Sequence, residues 1–376
     1  MTDRFEHLFA GLALLSITTL AAAQTFPPTG PTTSPSLDCE MVLFDYSSRI
    51  GDGDLSNVQA LVSTHPQCFS GSVAAQATIT ATAIAHSNAI SGSLAERFLA
   101  AAGPAVLASK GYSGLAAGAP ADKWNVWGNL SGNDSTIEYT NTSASTTRND
   151  SSILTTVIGA DYALSPTLVF GLSASFDRGD GSGKTGDDAS LDANTSGYLL
   201  APYIGLQLSD ELALDASAGF GHGKRDTQSG PKYDTDRRFA ALNLSYSHWF
   251  QNLQLSGKLG YLHAKENYGN SRTNGLENPN TDNSNTLGQF RAGVQLGYWV
   301  NGFMPYAGVA FTRDKRSASN KYMEVDVLGK NATLWTVGVN FFSLSSKLSG
   351  GIAYNRESGR SNSKNDSLMA NINIRY

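Results

Sequence analysis

The chain has 376 residues, enough for one large domain with an appendage or for two ordinary ones. A hydrophobic share of 40% and a mean hydropathy of −0.22 match a water-soluble protein, and beyond the N-terminus no apolar run reaches the ~18 residues of a membrane-spanning helix. The net charge of −5 gives no support to a nucleic-acid partner. The excess lies in 38 glycines, 15 tyrosines and 16 phenylalanines, a mix that suits strands ringed by aromatic residues.

Residues 1–23 read as a secretory signal peptide. The apolar run Leu8–Leu20 closes on Ala21-Ala22-Ala23, an A-x-A site, so cleavage is predicted between Ala23 and Gln24. The n-region is weak, because Asp3 and Glu6 offset Arg4, and an uncleaved helical anchor is the alternative. No cysteine follows at the place lipid attachment needs. Residues 24–36, "QTFPPTGPTTSPS", form an extended linker. Cys39 and Cys68 flank a short helical candidate, "LSNVQALVST", opened by Asp54. In an exported chain this isolated pair most simply forms one disulfide, which would stabilise by roughly 3–4 kcal/mol on the chain-entropy argument. A metal pair would have only His65 nearby, so no metal and no cofactor is expected. Residues 24–71 thus form a short, clipped, passenger-like region.

Residues 72–122 hold a helix and a Gly/Ala linker. Ile79, Ala83, Ile90, Leu94 and Phe98 recur at near-helical spacing among Ala, Ser and Thr, and Pro104 ends the run.

From Lys123 to Tyr376 the texture is alternating. Tight turns fall at "LSPTL" (164–168), "LSDEL" (208–212), "FQNL" (250–253), "VNGF" (300–303) and "LSSKL" (344–348). Long polar loops are predicted at 131–151, 179–194, 223–236, 265–285, 314–330 and 356–366. Strict alternation of short and long connections makes an up-and-down meander of twelve strands. Leu154, Ile158, Ala160 and Tyr162 share one face, against Thr155, Gly159 and Asp161. Leu168, Phe170, Leu172, Ala174 and Phe176 do the same against Ser173, Ser175 and Asp177. Apolar-out, polar-in strands ending on aromatics belong in lipid around a wet interior. A soluble β-sandwich would mix its loop lengths. The fold predicted is therefore all-β: a 12-stranded antiparallel transmembrane barrel, with the helix threading or plugging the lumen. Closure pairs the last strand with "KWNVWGNLSG", because a strand edge inside a membrane has no water to satisfy it.

With these residues assembled, the chain resembles the bacterial type Va autotransporters. The matching stretches are "WNVWG" (124–128), "IGADYALSPTLVFGLSASF" (158–176), "YIGLQLSDELALDASAGFG" (203–221) and "MANINIRY" (369–376). The resemblance implies type V secretion, with a barrel anchored in the bacterial outer membrane and an N-terminal region carried to the cell surface. It also implies a helix in the lumen. Family passengers are usually far longer than residues 24–105, so an outer-membrane porin or adhesin with a plug or periplasmic segment is the alternative. Ile372, Ile374 and Tyr376 resemble the C-terminal signal for barrel insertion. Expected partners are outer-membrane lipid and, during biogenesis, the barrel-assembly machinery and periplasmic chaperones. The mature protein is expected to be a monomer.

Chemistry-bearing motifs are few, and no catalytic residue is predicted. "GDGSGKTGDD" is similar to a phosphate loop, but Arg178 stands where its first glycine belongs and no helix follows. His248 and His263 fall on the lipid-facing side by parity. His222, near Asp226, Asp234 and Asp236, supports only a remote reading as a rim protease. Asp161, Asp215, Lys258, Arg291 and Arg375 are expected to point into the lumen. There they would line a pore or hold the helix near Glu96 and Arg97.

Overall fold

Among the described residues, twelve long antiparallel strands follow a 29-residue helix. The computed structural model describes Asp45, residues 73–101, and residues 123–376 apart from 141–145, 186–188, 191, 228–231, 274, 280, 320–327 and 344–346. The helix α1 is Val73–Ala101. The strands are β1 Trp124–Thr140, β2 Thr146–Ser165, β3 Leu168–Thr185, β4 Ala193–Gln207, β5 Leu212–Thr227 and β6 Lys232–Phe250. They continue as β7 Leu253–Tyr268, β8 Asn283–Tyr298, β9 Phe303–Ala318, β10 Asn331–Ser343, β11 Leu348–Ser358 and β12 Ser363–Arg375. Three two-residue ribbons, Ala189–Ser190, Arg272–Thr273 and Leu276–Glu277, decorate one rim. The predicted cleavage point Ala23–Gln24, Cys39, Cys68 and the short helix after Asp54 lie outside the described residues.

Each strand pairs with its sequence neighbours, and the sheet closes on itself. β1 pairs with β12 from Asn125↔Arg375 to Ile137↔Ser363. The backbone N–H of Tyr376 donates to Trp124 O at 2.9 Å, and Trp124 N–H donates back at 3.3 Å. Closure removes the open margin that lipid could not tolerate.

At one end the connections are tight. Asn301 and Gly302 both take positive φ, 48° and 93°. Such a pair makes a two-residue hairpin whose twist matches its strands, and Val300 and Phe303 exchange both backbone hydrogen bonds across it, at 2.8 and 2.9 Å. At the other end the strands run much further than alternation predicts. β1 and β2 stay paired as far as Thr140↔Thr146, although 131–151 reads as a polar loop. Similarly, β11 reaches Ser358 and β12 starts at Ser363 within a stretch expected to be loop. Once a ladder stands in water both its faces can be polar, so hydropathy alternation fades while backbone pairing continues.

The outer wall is apolar. Leu154, Ile158, Phe170, Leu172, Phe176, Leu242, Tyr261, Val337 and Ile372 all lie exposed on it. The lumen wall is polar, with Ser173, Ser175, Asp177, Asp215, Asn243 and Asn373 buried. Helix α1 lies inside. The stripe Ala83, Ile90, Leu94 and Phe98 is buried as its spacing predicts, but Thr82, His86, Ser87, Ser91 and Ser93 on its other faces are buried too. A helix on a surface would leave those polar positions in water. Here a ring of strands encloses it, and short Ala, Ser and Thr side chains keep it slim enough to fit. No described helix is long and apolar enough to cross a membrane.

Candidate functional site

The lumen is the candidate site, and it is built by helix–wall contacts. Three wall glycines face large side chains on the same interior surface. The Trp127 indole covers Gly159, the Tyr203 ring covers Gly171, and Leu94 with Phe98 of the helix fills the notch at Gly205. Trp127 Nε1 donates to Tyr203 Oη at 2.7 Å, and Tyr203 donates on to Asp161 Oδ2 at 3.0 Å. This chain ends on the helix, because Arg97 donates to the other Asp161 oxygen. Their side chains are 9% and 0% exposed, so the ion pair is removed from bulk solvent. Arg97 Nη2 also donates to Lys123 O at 3.1 Å, which fixes the helix C-terminus at the tight-turn end of the barrel.

Further along, Ser91 Oγ donates to Asp215 Oδ2 at 2.7 Å, and Asn243 Nδ2 satisfies the second oxygen at 2.8 Å. Ser93 Oγ donates to Asn373 Oδ1 at 3.0 Å. Glu96 accepts from Ser349 Oγ at 3.1 Å, from Asn371 Nδ2 at 2.5 Å and from Asn373. His86, fully buried, lies 2.8 Å from Ser173 Oγ. The Ser173 proton goes to Ala201 O at 3.2 Å, so the imidazole donates to Ser173 from Nε2.

Of the five charges expected in the lumen, Asp161 and Asp215 hold the helix directly. Arg291 Nη1 donates to helix residue Asn88 at 3.3 Å. Lys258 and Arg291 also line a lumen cavity of about 340 Å³ beside the helix, together with Glu96, Tyr306 and Asn340. Arg375 stands at the tight-turn end, and its backbone N–H donates to Lys347 O at 3.2 Å. Ile372 and Tyr376 face outward.

Sequence reasoning missed a second set of contacts nearer the far rim. Arg237 is clamped between Asp177, at 2.7 Å, and Glu266, at 2.7 Å, with all three side chains at most 2% exposed. Arg360 and Arg316 share Asp314 at 2.8 and 2.7 Å. Arg237, Asp177, Glu266, Asp314 and Arg316 are inward positions on their strands, so their parity was readable, but Arg237 and Arg360 meet partners tens of residues away. At the tight turns Glu211 accepts from His248, which, with the Tyr246 hydroxyl, lowers its carboxyl below the ordinary 4.5.

The protease reading loses its geometry. His222 points outward from β5 and pairs with Asp236 at 2.6 Å, both about two-thirds exposed. Asp226 and Asp234 are held by Lys232 and Arg272, at 3.5 and 2.9 Å. The Gly183-Lys184-Thr185 stretch is the end of strand β3, registered against β2.

A closed cylinder with an apolar outside, a polar inside and a helix threaded through it defines a transmembrane β-barrel. The family model for the autotransporter beta-domain matches residues 126–358, and the chain belongs to that family. The barrel is similar to the β domain of the Bordetella autotransporter Brka, at 15% identity and a TM-score of 0.51, over 68% of this chain and 100% of that one. It is similar also to the translocator domain of NalP from Neisseria meningitidis, at 12% identity and a TM-score of 0.52, over 72% and 96%. The transport unit of AIDA-I from Escherichia coli aligns at 13% identity and a TM-score of 0.51, over 74% and 99%. At such identities the likeness is one of fold. No curated protein matches the chain.

Proposed function

We propose that this barrel anchors the chain in the bacterial outer membrane and carries residues 24–71 to the cell surface, without enzymatic chemistry. The observation that carries this reading is the direction of α1. Its C-terminus is tied at the tight-turn end by Arg97, and its N-terminus at Val73 points to the far rim. In this reading the tight turns face the periplasm. The signal peptide is removed between Ala23 and Gln24, and Cys39 and Cys68 close a loop small enough to follow a thread. Ile372, Ile374 and Tyr376 are offered to the barrel-assembly machinery after delivery by periplasmic chaperones.

An epitope tag at Thr32 tests export. Antibody should label intact cells, and labelling only after permeabilisation would refute the proposal. The cavity beside the helix favours a second reading, a conducting pore. Planar-bilayer recording decides between them: a plugged translocator passes little current until residues 24–118 are removed, whereas a pore conducts at full length. His222→Ala should leave surface display unchanged.

A further inference from the structure

On the outer wall, β6 to β9 carry a patch of cations that the lumen does not use. The ladder registers set it out in rows. Arg238 stands directly opposite Lys265, and one row nearer the tight turns His263 and Lys315 flank Gly288. In the next row Arg313 stands beside Phe290, which stands beside Tyr261. Arg238, Lys265, Arg313 and Lys315 have no ion pair or hydrogen bond among the described residues. Nearby carboxylates are all engaged elsewhere. Asp236 holds His222, while Glu266 and Asp314 turn into the lumen onto Arg237, Arg316 and Arg360. Elsewhere on the outer wall, Arg148 has Asp150 at 2.9 Å and Arg356 has Asp366 at 3.9 Å. Like charges directly opposite on one face destabilise a sheet, so Arg238 facing Lys265 calls for an anion from outside.

What lies beside the patch points to the kind of anion. Immediately toward the tight turns, the wall becomes apolar, with Tyr261, Phe290 and Phe311 exposed. A groove of about 600 Å³ opens there between Leu244, Leu259, Val294 and Phe311, because Gly257 and Ala292 are too small to fill it. Cations above a lipid-facing groove fit a molecule with an anionic head and an acyl tail. Arg238 with Lys265 and Arg313 with Lys315 form two pairs, separated by two to three strand spacings across the sheet and one to two rows along it, or roughly 12–20 Å between Cα positions. Long Arg and Lys side chains let both pairs converge on the two phosphates of one diphosphorylated sugar headgroup.

We propose that this face binds a phosphorylated acyl glycolipid of the outer leaflet, with Arg238, Lys265, Arg313 and Lys315 on its phosphates and one acyl chain in the groove at Gly257 and Ala292. The leaflet rests on the orientation given above, but the binding itself does not, so the experiment is done in detergent. The purified full-length protein is titrated with a diphosphorylated acyl glycolipid, with the same glycolipid lacking phosphate, and with inorganic pyrophosphate. The wild type should bind the first far more tightly than the other two. The variant R238Q/K265Q/R313Q/K315Q should weaken that binding several hundredfold, at about fivefold per cation. Ala292→Trp should weaken it by filling the groove while leaving pyrophosphate unaffected. The control R178Q/K224Q, on another part of the wall, should change nothing. Equal affinity for the dephosphorylated glycolipid, equal affinity in the quadruple variant, or pyrophosphate binding as tight as the lipid would overturn the proposal. A surface-display assay run in parallel keeps this outcome separate from export.

Discussion

Leu94 of the lumen helix sits over Gly205 of β4 so closely that a Cβ built on the glycine would stand 2.8 Å from its Cδ2. Phe98 Cε2 would lie 3.2 Å away. The wall is therefore notched where the helix is thickest. Gly205→Val should cost about 1–3 kcal/mol by overpacking. The loss should fall on the helix rather than the barrel, read as faster amide exchange in α1 with strand exchange unchanged.

Arg97 and Asp161 tether the helix to the wall through a buried ion pair. Removing one partner of a buried ion pair leaves a stranded charge and costs about 3–5 kcal/mol. Asp161→Ala should therefore loosen α1 more than the double variant R97M/D161L, which strands no charge and leaves only the neutral donors of Tyr203 and Asn125 without their acceptor. Protease protection of the helix in the folded barrel ranks the three proteins, and the opposite order would dismiss this tether.

Deleting residues 368–376 removes most of the β12 register and both backbone hydrogen bonds between Tyr376 and Trp124. The barrel then has an open margin, whose unpaired groups each cost several kcal/mol in lipid. No folded species should survive, read as loss of the compact, heat-modifiable band on gels. Tyr376→Ala alone keeps the backbone pairing and should still fold in vitro.

Glu211 gives a pH dependence at the tight-turn end. Hydrogen bonding from His248, then from Tyr246, lowers its folded value below 4.5. Its contribution is thus fully present above 4.5 and is lost as pH falls through the lowered folded value. Glu211→Gln should lower stability slightly above pH 4.5, where the carboxylate contributes, flatten the acid limb below it, and converge with the wild type at the acid end. Because the carboxylate is solvent-exposed, the effect is small and salt-sensitive.

Much of the barrel was legible because lipid imposes a simple code. Period two with aromatic ends at 154–176 and turn pairs such as Asn301-Gly302 marked strand number, parity and one set of connections. The polar stretches 131–140 and 146–151 hid their strands, since nothing outside a membrane requires alternation. The helix stripe through Ile90, Leu94 and Phe98 was visible. The role of His86, Ser91 and Ser93 was not, because burial of their faces comes from the enclosing wall. Likewise Asp177, Arg237 and Glu266 meet only after the cylinder closes, so no local spacing announces them.

The long far-side ladders have a consequence for delivery. Strands such as β2, with 20 residues, stand about 50 Å tall once tilted in a barrel wall, against an apolar band of about 25 Å. The surplus forms a rigid chimney above the bilayer. Under the proposed export, a chain leaving its mouth enters open medium beyond the headgroup layer rather than emerging among lipids.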